Sequence, residues 1–312
     1  MDLEFNADQT MLADSLRSLG ERFTQLPQGH EREYAYWSAG LEAALCDGGF
    51  MAAGQELGWL EAALVVLEVA RLPVVSTAMI SALAVPQVTG RMLSGPTTIL
   101  RGDLTRAQRF LGVADYALVA LDDDVALVDL RGRAVEPVSS VFAYPYGRLV
   151  EPLDLAGAER FGSDALATLL QWQRIGIAAE AAGATESAIA LTVEHVKERH
   201  VFGKPIGGFQ AVQHRLAQCH QMSRAMRFLA LHAAWSGDPL GADVAAAYAQ
   251  DAVNKMSFDL HQFNGGMGVT TEYQLHFWTY RLRALQAEAG GADQAAASTY
   301  DRLWDGDGRA AA

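Results

Sequence analysis

The chain has 312 residues, of which 50% are hydrophobic and 20% charged, and its formal net charge is −13. This length and composition are typical of a folded globular protein with a sizeable core. Nucleic acid and anionic membrane surfaces both repel an acidic protein, and no basic run in the sequence is longer than two residues. We therefore expect neither of them as a partner.

The first residues lack the basic and apolar segments of a secretory signal. The most apolar windows, 62–75 and 175–193, contain charged residues, which a bilayer core disfavours. These features predict a cytoplasmic protein without a membrane span. Cys46 and Cys219 are isolated from each other and from any histidine cluster, so we predict no disulfide and no metal site.

Residues 1–96 predict an N-terminal helical domain. Apolar residues recur at helical spacing between Asp8 and Phe23. Further helical segments are predicted near 34–45, 57–72 and 77–92. Pro73 ends the third of these helices, because proline cannot continue the hydrogen-bond ladder.

Residues 97–155 predict a reduced antiparallel β domain. Four β-favouring runs are separated by turn-forming residues: Tyr116–Leu121, Val125–Leu130, Val138–Phe142 and Arg148–Val150. Three consecutive aspartates follow the first run. They are more consistent with a solvated hairpin turn than with a calcium site.

Residues 156–304 predict a C-terminal four-helix bundle, and residues 305–312 a flexible tail. The four alanine-rich helices are expected at about Asp164–Glu198, Gln210–Trp235, Asp243–Phe263 and Gln274–Glu288. Small residues let helices approach closely, which favours antiparallel packing with short turns. The predicted fold class is therefore mainly α with a small β insert.

Two motifs mark the ends of these bundle helices. In the first, Arg199, Phe202 and Gly203 are followed by Phe209 and Gln210. An arginine fork can bind a diphosphate through two parallel hydrogen bonds, and an aromatic ring can cover an adenine face.

The second motif is Gln262 followed by Gly265 and Gly266. Without side chains, the backbone N–H groups of such glycines can approach phosphate oxygens. A helix C-cap with a flexible turn would also explain the glycines. Two motifs in sequence order, each at a helix end, favour cofactor contact.

The chain resembles the acyl-CoA dehydrogenase superfamily in the order of its predicted parts, which are helices, a β insert and a helical bundle, and in these two motifs. The resemblance implies FAD as cofactor, acyl-CoA as substrate and an electron-transfer flavoprotein as electron acceptor. It also implies that the motif residues bind the ADP half of the FAD of a neighbouring subunit. These residues are Arg199, Phe202, Phe209, Gln210, Gln262, Gly265 and Gly266.

The base that the resemblance implies is missing. Formation of a Cα–Cβ double bond requires a carboxylate that takes the α proton while a hydride passes to the flavin. The family's usual glutamate position falls on Ala289 or Gly290, and its alternative position on the first bundle helix falls on Gln173. None of the three can accept the proton. Glu288 is the nearest carboxylate, and a small shift of register would make it the base.

The family segment Thr-Glu-Pro…Gly-Ser-Asp, which holds the flavin ring, has no counterpart between Ser94 and Gly112. A chain that can contact a neighbouring subunit's FAD but has no pocket for an FAD of its own implies a heteromer. The chain resembles the shortened subunit of α2β2 bacterial acyl-CoA dehydrogenases of steroid and sterol breakdown, in which a full-length subunit is the partner. Two alternatives remain open: a self-sufficient homo-oligomer with Glu288 as base, and a flavin-free helical interaction subunit. The sequence does not identify the acyl group.

Overall fold

The computed structural model describes residues 4–25 and 33–305, so the predicted tail at 306–312 lies outside the described residues. The helices are α1 Ala7–Gly20, α2 Ala39–Asp47, α3 Ala53–Glu56, α4 Trp59–Ala70, α5 Val85–Thr89, α6 Gly162–Glu198, α7 Gln210–Ser236, α8 Pro239–Gly268, α9 Leu275–Leu285 and α10 Gly291–Tyr300. The strands are β1 Thr97–Leu100, β2 Gln108–Arg109, β3 Tyr116–Ala120, β4 Val125–Asp129, β5 Val135–Val138, β6 Tyr146–Leu149, β7 Glu159–Phe161, β8 His200–Val201 and β9 Lys204–Pro205.

The N-terminal helices are set by local capping and by close packing against α6. α1 begins with a capping box, in which the Asn6 side chain accepts from the Gln9 backbone N–H and the Gln9 side chain accepts in return. α4 crosses α6 where α6 has no side chain, because a Cβ at Gly183 would lie 2.0 Å from the Leu67 carbonyl oxygen. The segment predicted as a fourth helix is a π-helical stretch, Met79–Ala84, that continues into α5.

The β insert contains a four-stranded sheet in the order β1-β3-β4-β7 and a three-stranded sheet in the order β2-β6-β5. β3 and β4 match two of the predicted runs. The prediction of an antiparallel insert is wrong for one pair, because β1 and β3 are parallel. A parallel pair needs a crossover, and residues 101–115 provide it while carrying β2 into the second sheet.

A third predicted run is displaced along the chain. The strand expected at Val138–Phe142 is instead β5, which ends at Val138 opposite Tyr146 of β6. The residues after it lead to Ala143, whose φ of 41° lies in the left-handed region and ends the extended backbone.

The mainly α fold with a small β insert is confirmed, and α6–α9 form the bundle. α6 is buried on all its faces between Trp172 and Thr185, because α4 and the π-helical stretch cover the side that faces away from α7, α8 and α9. α10 was not predicted, and it packs on α8. Within the described residues, none of the helices is long and apolar enough to cross a bilayer.

Candidate functional site

The first motif forms a short hairpin at the end of α6. Val201 pairs with Lys204 across a two-residue loop, Phe202-Gly203, in which φ is 52° and 80°. Two positive φ angles in a two-residue loop define a type I′ turn, which favours asparagine and glycine. Phe202 is instead an aromatic residue whose side chain is 92% exposed. A left-handed backbone costs a bulky residue about 1 kcal/mol, and the free chain offers no packing to compensate.

Arg199 precedes this hairpin, and its backbone carbonyl accepts from the Ile206 N–H at 2.8 Å. Its side chain is exposed and has no hydrogen-bond or ion-pair partner among residues 4–25 and 33–305. Phe209 lies immediately before α7 and Gln210 begins it, with the Gln210 side chain exposed. These residues present a cation, aromatic rings and an amide to solvent.

The second motif interrupts α8 near its end. Gly265 has φ 56° and ψ −137°, so the helix kinks there, and the C-cap lies later at Val269. A Cβ at Gly265 or Gly266 would meet nothing within 4 Å, and the Gln262 side chain is exposed. The glycines therefore open the backbone to solvent within the helix rather than simply ending it.

The fold brings both motifs to one end of the bundle. Asn264, next to the glycines, donates its amide to Thr192 Oγ1 of α6 at 2.9 Å. Arg215, near the start of α7, ion-pairs with Asp259 of α8. The end of α6, the start of α7 and the end of α8 therefore lie together. We call this the bundle-end surface: Arg199, Phe202, Phe209, Gln210, Gln262, Gly265 and Gly266.

The expected base positions also meet. Glu288 lies in the turn between α9 and α10, and Gln173 of α6 donates from Nε2 to Glu288 Oε2 at 3.1 Å. Ala289 is buried with φ 52°, and Gly290 has φ 88°. Neither of these two residues can accept a proton, so Glu288 is the carboxylate at this position.

Arg109 of β2 lies against this carboxylate. Its Nε is 3.3 Å from Glu288 Oε1, and its Nη1 is 3.6 Å from Glu180 Oε2. Burial lowers the pKa of Arg109, but the neighbouring Glu288, Tyr144 and Glu180 raise it above its ordinary value, so the guanidinium stays charged. Glu288 is therefore held in an ion pair with a buried cation.

Sequence reasoning missed Arg109, which is a single arginine in a two-residue strand. Glu180 and Tyr144 complete its surroundings. The Tyr144 hydroxyl donates to Glu180 Oε1 at 2.8 Å, and the Arg109 guanidinium carbon is 4.7 Å from the Tyr144 ring centroid. Burial and the Glu180 carboxylate raise the pKa of Tyr144 well above its ordinary value, so the phenol stays protonated.

The two regions differ in how well they fit FAD. The bundle-end surface has a cation without an acidic partner among the described residues, the exposed ring of Phe202, the half-buried ring of Phe209 and open backbone, which suit a diphosphate and an adenine. At the base position, the buried Arg109 pairs with both Glu288 and Glu180, so the carboxylate there already has a cationic partner within the chain.

Comparisons with known proteins agree with this architecture. The family model described as acyl-CoA dehydrogenase, C-terminal domain, matches residues 161–300. The chain is 36% identical over 105 residues to acyl-CoA dehydrogenase IpdE2 of Mycobacterium tuberculosis, covering 34% of this chain and 33% of that protein. It is 35% identical over 201 residues to acyl-CoA dehydrogenase FadE34 of the same organism, covering 59% of this chain and 27% of that protein. The matches thus span a third or less of the length of these relatives.

Among solved structures, the ChsE4-ChsE5 complex from Mycobacterium tuberculosis aligns with a TM-score of 0.79 at 19% identity, over 99% of this chain and 100% of that one. A steroid acyl-CoA dehydrogenase variant, Tcur3481-Tcur3483, aligns with a TM-score of 0.79 at 22% identity, over 96% and 98%. The fold is therefore that of an acyl-CoA dehydrogenase. The family match covers residues 161–300, and this part of the chain, which contains the bundle helices, is similar to the acyl-CoA dehydrogenase C-terminal domain.

Proposed function

We propose that this chain is a subunit of an FAD-dependent acyl-CoA dehydrogenase and that it binds the ADP half of FAD held by a partner subunit. One contrast carries the proposal. Within residues 4–25 and 33–305, Arg199 is exposed without an acidic partner near the exposed Phe202, whereas Glu288, the carboxylate at the base position, is ion-paired with Arg109. The chain thus offers contacts for a cofactor that it does not enclose.

FAD, when bound, supplies the hydride acceptor for oxidation of the Cα–Cβ bond of an acyl-CoA thioester. In this chain, Arg199 binds the diphosphate, and Phe202 and Phe209 lie against the adenine. Gln262 and Gln210 donate amide hydrogens, and the backbone N–H groups at Gly265 and Gly266 approach phosphate oxygens. These contacts orient the cofactor and contribute no proton transfer.

The partner is a full-length acyl-CoA dehydrogenase subunit, which supplies the base and the flavin-ring pocket in an α2β2 assembly. An electron-transfer flavoprotein is the electron acceptor. The structural relatives include a two-protein complex and a steroid acyl-CoA dehydrogenase, which supports a steroid-derived acyl group as substrate.

The test is the flavin content of this chain purified alone and after co-expression with its full-length partner. We expect a colourless chain alone and a yellow complex with one flavin per pair of chains. A chain that binds flavin stoichiometrically alone would contradict the proposal and support the self-sufficient enzyme. A complex without flavin would support the flavin-free interaction subunit.

Arg199→Ala tests the assigned contact. Loss of a charge-assisted contact should weaken FAD binding to the complex by roughly tenfold or more. Lys197→Ala is the matched control, because Lys197 is an exposed cation in the last turn of α6 that already pairs with Glu194 at 2.6 Å. Equal flavin occupancy in Arg199→Ala and the wild type would refute the assignment.

A further inference from the structure

We propose that Lys204 is a second cation of the bundle-end surface and binds the FAD diphosphate beside Arg199. This inference rests on the proposed function and adds a binding residue to the same site. Three observations support it: the register of the hairpin, the charge around it, and the contact that holds the Lys204 side chain.

The register places both cations on one face of the hairpin. Val201 pairs with Lys204, His200 pairs with Pro205, and the Ile206 N–H donates to the Arg199 carbonyl oxygen. Cross-strand partners share a face, as do residues two apart on one strand. Arg199 and Lys204 are therefore diagonal neighbours on the same face, at a spacing of roughly 7–8 Å between such positions. Two adjoining phosphates can bridge cations at this separation.

The charge around the hairpin distinguishes these two residues from other cations nearby. Lys197 pairs with Glu194 at 2.6 Å, Lys255 pairs with Asp259 at 2.9 Å, and Arg215 shares the same aspartate. Neither Arg199 nor Lys204 has an acidic partner within the described part of the chain.

A chain with a net charge of −13 has many carboxylates that could neutralise a lysine. Two adjacent cations left without one form a local positive site on an acidic protein, which suits a ligand of charge about −2 such as a diphosphate.

A neighbouring ring holds the Lys204 side chain. Its Nζ lies 4.1 Å from the centroid of the Phe209 ring, so a cation–π contact keeps the exposed ammonium on the bundle-end surface. Phe209 leads directly into Gln210 at the start of α7. The contact therefore links the ammonium to the ring assigned to the adenine and reduces the side-chain entropy lost when phosphate binds.

The experiment measures FAD binding to the heteromer after removal and titration of the cofactor, followed by flavin fluorescence. Lys204→Met keeps a side chain of similar length against Phe209 but removes the charge. We expect the Kd for FAD to rise about tenfold and the slope of log Kd against log salt concentration to become shallower. Lys204→Arg should restore Kd to within about twofold, and Lys197→Met should leave it unchanged.

An unchanged Kd in Lys204→Met would overturn the inference. So would a weakening that Lys204→Arg does not restore, because the effect would then come from packing on Phe209 rather than from charge. If FAD binding depends on Arg199 but not on Lys204, this inference fails and the proposed function stands. A wild-type heteromer that takes up no FAD would refute the proposed function itself.

Discussion

Gln173 and Glu288 are joined by a hydrogen bond of 3.1 Å from the Gln173 amide nitrogen to the Glu288 carboxylate. The sequence placed one of two expected base positions on Gln173 and the other within two residues of Glu288. Both positions therefore converge on one point, although they lie on different helical segments. What the sequence did not indicate is the third group there, Arg109, which pairs with the carboxylate.

Glu288→Gln distinguishes a heteromer whose partner subunit supplies the base from a self-sufficient enzyme in which Glu288 is the base. If the partner supplies the base, the heteromer should keep turnover within about twofold of wild type, because Glu288 then has only the structural role of binding Arg109 and Gln173. The free chain should lose about 2 kcal/mol of unfolding free energy, since a buried arginine loses one of its two carboxylates. Steady-state turnover and urea unfolding measure the two effects.

A fall in turnover of about a thousandfold, with FAD still bound, would instead identify Glu288 as the base. Glu180→Gln is the matched control, because it removes the other carboxylate that faces Arg109 and does not lie at a predicted base position. Loss of turnover in both variants alike would point to damage to the ion pair rather than to base chemistry.

Phe202→Asn should stabilise the free chain against unfolding and weaken FAD binding by the complex. Asn-Gly is the preferred type I′ turn, so replacing the aromatic residue at φ 52° should raise the unfolding free energy by about 1 kcal/mol. Loss of the exposed ring should weaken FAD binding in the heteromer roughly tenfold, because stacking on a base contributes about 1–3 kcal/mol.

Thermal unfolding of the free chain and FAD titration of the complex measure these opposite changes. Gly203→Ala is the control for the turn, since φ 80° strains any side chain and should destabilise the free chain. If Phe202→Asn leaves FAD binding intact, the ring does not contact the adenine.

The sequence predicted the parts of the fold that depend on local pattern. α6 and α7 begin and end within two residues of expectation because long alanine-rich runs and short turns define them, whereas α8 extends four residues earlier and five residues later than expected. The parallel pairing of β1 with β3 was missed because it depends on a crossover rather than on either strand alone. Arg109 was missed for a similar reason, since its partners Glu180 and Glu288 come from α6 and from the turn after α9.

Gly183→Ala tests the packing of α6 against α4. The added methyl group would lie 2.0 Å from the Leu67 carbonyl oxygen, which is backbone inside a buried helix and cannot move aside cheaply. We expect a loss of about 3 kcal/mol in unfolding free energy, measured by urea denaturation. Gly162→Ala, at the start of the same helix with nothing within 4 Å, should change it by less than about 0.5 kcal/mol. Equal effects in the two variants would show that α4 and α6 do not pack this closely.

Glu42 should make stability depend on pH. Burial raises its pKa above the ordinary 4.5, although Ser76 and the Thr77 backbone and hydroxyl donate to the carboxyl group and lower it in part. The folded state therefore keeps a proton that the unfolded state releases once pH exceeds about 4.5. Because the folded state binds more protons, the unfolding free energy contributed by this group falls as pH rises from the unfolded pKa to the raised folded pKa.

Glu42→Gln removes this titration. The unfolding free energy of the wild type minus that of the variant should therefore become less positive or more negative as pH rises above 4.5, and should level off beyond the folded pKa. Urea unfolding of both proteins across this range measures the difference, and effects of other titrating groups cancel between them. If the wild type instead gains unfolding free energy relative to the variant as pH rises, the hydrogen bonds from Thr77 outweigh burial and lower the pKa of Glu42.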